Sequence, residues 1–234
     1  MIHIVALSGG KDSTAMAIRL RELYPDRAYK YVLTPTGDEL PEMEDHWALL
    51  EGILGPLKRL GSIDIFSLIE QRKMLPNYRA RFCTQILKIK PFVNYMRSLP
   101  LDAVMYVGLR ADEPGRLGII DTQINVEYPM RGWKWGVNQV ILYLKTKGIK
   151  IPGRTDCGCC PLQRLPEWRS LLQKYPDRYE KYAALERIRG HTFRSPGRDT
   201  WPAGLDELRQ EIESGRKMIN RNLRGVKKCR LCSM

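Results

Sequence analysis

The run Ile2-His3-Ile4-Val5-Ala6-Leu7-Ser8-Gly9-Gly10-Lys11-Asp12-Ser13 decides the fold. Its first six residues read as a buried strand, two glycines then break it, and residues 12–24 carry helical apolar spacing. A strand that breaks at glycines and opens a helix aims several backbone N–H groups, and the positive end of the helix, at one point. That point suits a phosphate. Gly9 and Gly10 permit positive φ and close approach of a ligand, Lys11 adds a point charge, and the hydroxyls of Ser8 and Ser13 add donors. The glycine spacing is not that of a Walker A loop. The plainer alternative is a strand-to-helix turn with Asp12 or Ser13 as N-cap.

Strand and helix patterns continue to alternate outward from this point. Residues 28–33 read as a second strand ending in Thr34-Pro35-Thr36-Gly37-Asp38-Glu39, and residues 40–60 have helical periodicity with weak points at Gly52 and Gly55. Residues 63–66 read as a short third strand and residues 102–108 as a buried one. Regular alternation implies βαβ units, hence an α/β, Rossmann-like, doubly wound and mostly parallel sheet. Ligands of such sheets sit beyond the carboxyl ends of the strands, which gathers residues 8–13, 36–39 and 108–110 at one edge. Beyond residue 120 we expect a strand at 124–130 and helices at 135–147, 166–174, 176–189 and 205–220. A Gly/Pro/Cys loop at 148–164 and a looser stretch at 190–203 lie among them. The chain divides accordingly into a nucleotide-binding α/β domain, 1–150, and a helical, cysteine-containing, basic C-terminal region, 151–234.

Composition narrows the partners. The chain of 234 residues carries a net charge of +13. Seven Lys/Arg and no acid fall in residues 71–101, and seven more, again without an acid, in 214–234; the remainder is net −1. Such clustering favours a polyanion, either a nucleic acid or a phosphate-rich nucleotide, with a solvated basic face and tail as the plainer alternative. No signal peptide or spanning segment is evident, so the expectation is a cytoplasmic protein without a membrane partner. In that compartment six cysteines suggest metal or redox chemistry more than disulfides. Cys157-Gly158-Cys159-Cys160-Pro161 and Cys229-x-x-Cys232 offer two Cys-x-x-Cys pairs, enough for one tetrahedral metal or an iron–sulfur cluster. Cys159 is the cysteine most readily spared. His3, His46 and His191 share no metal-ligand spacing and read as structural, as do Trp168, Tyr175, Tyr179 and Tyr182.

Ser8-Gly9-Gly10-Lys11-Asp12-Ser13 after an N-terminal strand resembles the PP-loop of the ATP pyrophosphatases, the adenine nucleotide α-hydrolase-like group. Later segments are similar to its phosphoadenosine-phosphosulfate (PAPS) reductase-like branch. Thr36-Gly37 resembles that branch's Thr-Gly motif, although Pro35 replaces the usual acid. Phe82-Cys83-Thr84 with Lys88-Ile89-Lys90-Pro91 resembles its Cys-Thr segment, and Gly108-Leu109-Arg110 with Arg116 its Gly-x-Arg…Arg element. Tyr128-Pro129-Met130-Arg131-Gly132-Trp133 is similar to its Pro-Leu-x-x-Trp segment.

The resemblance implies ATP and Mg²⁺ at Ser8, Gly9, Gly10, Lys11, Asp12, Ser13, Thr36, Gly37, Gly108, Arg110 and Arg116. Lys11, Asp12 and Arg110 would be catalytic, with Arg110 and Arg116 as phosphate clamps. It favours a [4Fe–4S] cluster over Zn²⁺ on Cys157, Cys160, Cys229 and Cys232, with Cys83 an alternative ligand. Asp38 or Glu39 would hold Mg²⁺ or else serve as the first charges of the next helix. The implied function is adenylation of a substrate oxygen with pyrophosphate release, supporting sulfur transfer from a sulfur donor to DNA or tRNA. Two alternatives stand: a PAPS or APS reductase using a thiol reductant, although its Glu-Cys-Gly-x-His-like segment is missing, and a non-catalytic nucleotide- or nucleic-acid-binding accessory protein.

Overall fold

The computed structural model describes residues 1–116, 118 and 123–218. Five described strands form one sheet: β1 (His3–Ala6), β2 (Tyr29–Leu33), β3 (Leu57–Arg59), β4 (Val104–Tyr106) and β5 (Asn125–Glu127). All are parallel, in the order β3-β2-β1-β4-β5. β1 is central, with His3 opposite Tyr29 on one side and Val104 on the other. This is the doubly wound, Rossmann-like arrangement, and the strand order reverses between β1 and β4.

A parallel sheet must be covered on both faces, and the period-2 alternation of β1 sorts its residues accordingly. Val5 and Leu7 join a core with Ala15, Met16 and Leu20 of α1 (Lys11–Leu23), Met43, Trp47 and Leu50 of α2 (Pro41–Leu54), and Val140 and Leu144 of α6 (Val137–Thr146). Ile4 on the other face meets Val32, Met105, and Phe92 and Met96 of α4 (Lys90–Arg97). A third core joins α3 (Ile65–Arg72) to α7 (Leu165–Lys174), α8 (Pro176–Arg189) and α9 (Leu205–Glu213). Trp168, Tyr179, Tyr182 and Phe193 are fully buried within it. A single turn, α5 (Pro129–Gly132), follows β5.

Several expected elements are placed differently. The helix expected over 40–60 stops at Leu54, because Gly55 takes φ +98°, and Leu57–Arg59 becomes the edge strand β3. Residues 63–66 are not a strand: Asp64 accepts a hydrogen bond from Ser67 N at 2.7 Å and caps α3. The expected strand at 124–130 is shortened to β5, since Pro129 starts α5. Helical structure at Thr84–Ile89, a π-helix, and at α4 lies inside the basic segment, where we expected no element. The last expected helix ends at Glu213.

Candidate functional site

The loop after β1 is held from inside by its own hydroxyls. Ser13 Oγ accepts from Ser8 N at 3.1 Å, donates to Gly10 O at 3.2 Å and lies 3.0 Å from Ser8 Oγ, while Gly10 N donates to Ser8 Oγ at 3.2 Å. The serines therefore build the loop from within. From below, α2 supplies a shelf. Trp47 Nε1 donates to Ser8 O at 3.2 Å, and a Cβ on Gly9, which has φ +76°, would fall 2.3 Å from Met43 Cε and 2.5 Å from Trp47 Nε1. His46 is buried beside them, its Nε2 without a partner, and burial pushes its pKa down. Met43, His46 and Trp47 were missed in the sequence. Their i, i+3, i+4 spacing on one helix face was the available signal.

Lys11 opens α1, part-exposed, with its Nζ 3.3 Å from Asp12 Oδ2. The first N–H groups of α1 have no intrahelical partners, so the helix end and Lys11 together make an anion site. Gly108 follows β4, and a Cβ there would lie 3.1 Å from Ser13 N. Its small size lets β4 close against the start of α1.

Arg110 turns inward. Only 1% exposed, it reaches Asp12 Oδ2 at 2.7 Å, Asp112 Oδ1 at 2.8 Å and Glu113 Oε1 at 3.2 Å. Arg116 pairs with Glu113 at 2.7 Å. These two arginines, expected at phosphate oxygens, are here bound to carboxylates that brace the loop. Burial pushes the Asp12 carboxyl up, against the pull of Lys11 and Arg110.

Thr36-Gly37-Asp38-Glu39 is spent in the same way on structure. Glu39 Oε1 accepts from Thr36 N at 2.6 Å and from Thr36 Oγ1 at 2.7 Å, and its Oε2 accepts from Gly37 N. Asp38 is buried and accepts from Cys159 N at 2.8 Å and from Tyr182 Oη at 2.7 Å; its backbone O accepts from Gly158 N at 2.7 Å. Both carboxylates are thus engaged by protein donors in this structure. A Cβ on Gly158 would sit 2.0 Å from Tyr182 Oη and 2.9 Å from Asp38 Oδ2, so only glycine fits that contact.

Asp38 ties the cysteine loop to the end of β2. Cys83, Cys157, Cys159 and Cys160 line one cavity of about 30 Å³ together with Thr36, Arg81, Lys88 and Asp156. The loop after β1 is close, since Thr155 Oγ1 would lie 3.7 Å from a Cβ on Gly10. Hydrogen bonding among Cys157, Cys159 and Cys160, together with burial, pushes the thiols of Cys157 and Cys160 well up. Burial also raises the pKa of Cys83. Cys159 is fully buried; a hydrogen bond with Cys157 pulls its pKa down, yet burial and Asp38 carry it to about 11.

Among the described residues no group of three or more His, Cys, Asp or Glu side chains is arranged to hold a metal ion. The donor chemistry nevertheless fits a thiophilic group. Three part-buried thiols from two segments face one cavity, with Lys88 near Cys83 and Cys157 to offset thiolate charge. Cys229 and Cys232 lie outside the described residues.

The chain is similar to a PAPS reductase and to a tRNA thiolase. The first is the phosphoadenylyl-sulfate reductase of Candida auris in a phosphate complex, at TM-score 0.49 and 14% identity over 64% of this chain and 75% of that one. The second is the U34-tRNA thiolase NcsA of Methanococcus maripaludis with its [4Fe-4S] cluster, at 0.49 and 17%, over 100% of this chain and 80% of that one. A predicted subunit of a tRNA methyltransferase from Methanocaldococcus jannaschii follows at 0.40 and 16%, over 76% and 91%. No protein-family model and no curated protein matches. At these scores the likenesses stand beside the fold and do not carry it; the strand order and loop geometry do. Among the described residues no helix is long and apolar enough to cross a membrane.

Proposed function

We propose that the chain is a cytoplasmic PP-loop enzyme that binds ATP, adenylates an oxygen of a nucleic-acid acceptor and supports replacement of that oxygen by sulfur. One observation carries this reading: the cysteine cavity adjoins the loop after β1, since Thr155, next in the chain to the cavity-lining Asp156, has its Oγ1 3.7 Å from where a Cβ on Gly10 would lie. An activated carbon and a sulfur-handling site need such proximity.

In this reading the amides of residues 9–13, the positive end of α1 and Lys11 hold the pyrophosphate portion of ATP-Mg²⁺. An acceptor oxygen attacks the α-phosphorus, the bond to the β-phosphate oxygen breaks, and pyrophosphate leaves with its charge offset by Lys11. Arg110 and Asp12 act as positioning residues that keep Lys11 and the loop amides aimed. Sulfur from a donor then displaces AMP at the activated carbon.

Cys83, Cys157 and Cys160, with Cys229 or Cys232, are the residues we assign to a [4Fe–4S] cluster, with Zn²⁺ as the alternative, and Cys159 as the spare. When bound, such a group would offer a site where sulfur is held or delivered. Burial at Cys83, and hydrogen bonding together with burial at Cys157 and Cys160, raise the pKa of these thiols, so a cation that binds them would displace their protons. The sequence favours sulfur transfer over the PAPS/APS reductase reading, because it has no Glu-Cys-Gly-x-His-like segment.

The test uses anaerobically purified full-length protein with ATP-Mg²⁺, with and without tRNA or DNA, and separately PAPS with a thiol reductant. Pyrophosphate release that depends on nucleic acid, lost in Lys11→Ala, is the expected result. Sulfite from PAPS would instead establish the reductase. Full biological activity in Lys11→Ala would point to the non-catalytic accessory role.

A further inference from the structure

Pro76 and Arg81 both line the cysteine cavity, and the chain between them forms one turn. The turn is preorganised. Asn77 Oδ1 accepts from Arg79 N and Ala80 N, each at 2.9 Å, and Asn77 N donates to Ala80 O at 3.2 Å. Its root is fixed as well, because Leu75 is fully buried and Leu75 N donates to His191 Nε2 at 2.8 Å. At the tip stands Tyr78, 67% exposed, the most exposed aromatic ring among the described residues. No other ring or cation covers it among those residues, whereas Arg27 lies 4.0 Å over the ring of Tyr24.

The segment around it in the chain is one-signed. Arg79 is the next residue to Tyr78, and Arg72, Lys88 and Lys90 belong to the same stretch, 71–101, which contains no acid. The acids at hand are Glu70, already paired with Lys73 and Arg189, and Asp156 on the cavity wall. A lone exposed ring on a rigid basic turn has too little apolar area for a membrane or an apolar peptide. It matches a π-face flanked by phosphates. In a duplex each base already stacks on its neighbours, so the partner needs an unpaired base.

We propose that Tyr78 is the stacking platform for an unpaired base of the nucleic-acid substrate. Arg72, Arg79 and Lys90 hold the flanking phosphates, so that the neighbouring nucleotide is presented to the cavity between Pro76 and Arg81. This rests on the reading above that the acceptor is a nucleic acid.

Fluorescence anisotropy of the anaerobically purified full chain tests it, with a labelled RNA hairpin carrying an unpaired loop and the same stem as a blunt duplex. The hairpin should bind more tightly than the duplex. Tyr78→Ala should weaken the hairpin about tenfold, the order one base stack contributes, leave the duplex unchanged, and be rescued by Tyr78→Trp. The triple variant Arg72→Glu/Arg79→Glu/Lys90→Glu should weaken both. If Tyr78→Ala binds the hairpin as well as wild type while the triple variant does not, the stacking role is overturned and the nucleic-acid reading survives. If wild type binds neither RNA, nor DNA of the same sequences, both fall.

Discussion

Glu186 is a buried carboxyl that ties the C-terminal helices together. It accepts from Phe193 N at 2.8 Å and Leu205 N at 2.7 Å, stapling α8 to the following loop and to α9, and burial raises its pKa to about 7. The folded chain therefore holds a proton that the unfolded chain releases between pH 4.5 and about 7, and stability falls as pH rises through that window. The loss should be of order 3 kcal/mol at most. Urea unfolding at about pH 5 and pH 7.5 should show wild type declining more steeply than Glu186→Gln; parallel declines would disprove the assignment. At this scale the phosphate loop was legible because its residues act within a few positions of one another. The inward turn of Arg110 was not, since Asp12 and Glu113 make it a brace only after β1 and β4 are paired. Met43, His46 and Trp47 were hidden for the same reason: they serve a loop that precedes them by a whole βα unit.

At the scale of elements, Asp38 joins the end of β2 to the cysteine loop and to α8 through Cys159 N, Gly158 N and Tyr182 Oη. Asp38→Ala should free that loop. We expect iron or zinc per chain to drop at least twofold after anaerobic reconstitution, while helical circular dichroism is kept and Asp38→Asn retains more metal than alanine. Unchanged metal content in Asp38→Ala would remove the tie from the account. The sequence showed α1, α6 and α8 because their apolar periodicity is uninterrupted. It misled at 40–60, where the apolar pattern runs through Gly55 into a three-residue edge strand too short to have a pattern of its own. At 63–66 the apolar Ile63, Ile65 and Phe66 masked the N-cap Asp64. The basic residues of 84–97 masked a strongly amphipathic pair of helical turns, whose Leu87, Phe92 and Met96 are buried.

Across the whole molecule, strand alternation sufficed to expect a parallel sheet with its loops gathered at one edge. The docking of the C-terminal helices was beyond that reading, because Ile65, Leu68, Ile69 and Leu87 meet Trp168, Tyr179 and Tyr182 only in three dimensions. We propose that residues 151–234 complete the α/β domain instead of standing apart from it. A fragment of residues 1–150 would leave that apolar surface bare. It should bind a hydrophobic dye and aggregate, and co-expression with residues 151–234 should restore solubility; a monodisperse, stable fragment would show two independent domains.

The cysteine cavity draws its walls from both sides of residue 150, Cys83 on one and Cys157 to Cys160 on the other. During synthesis the loop after β1 and its brace through Arg110 can be made before residues 151–234 are added. The thiol cavity cannot. Any group held from both sides of the cavity therefore waits for Cys157 to Cys160, and on the function proposed above a nucleotide could bind before that group is acquired.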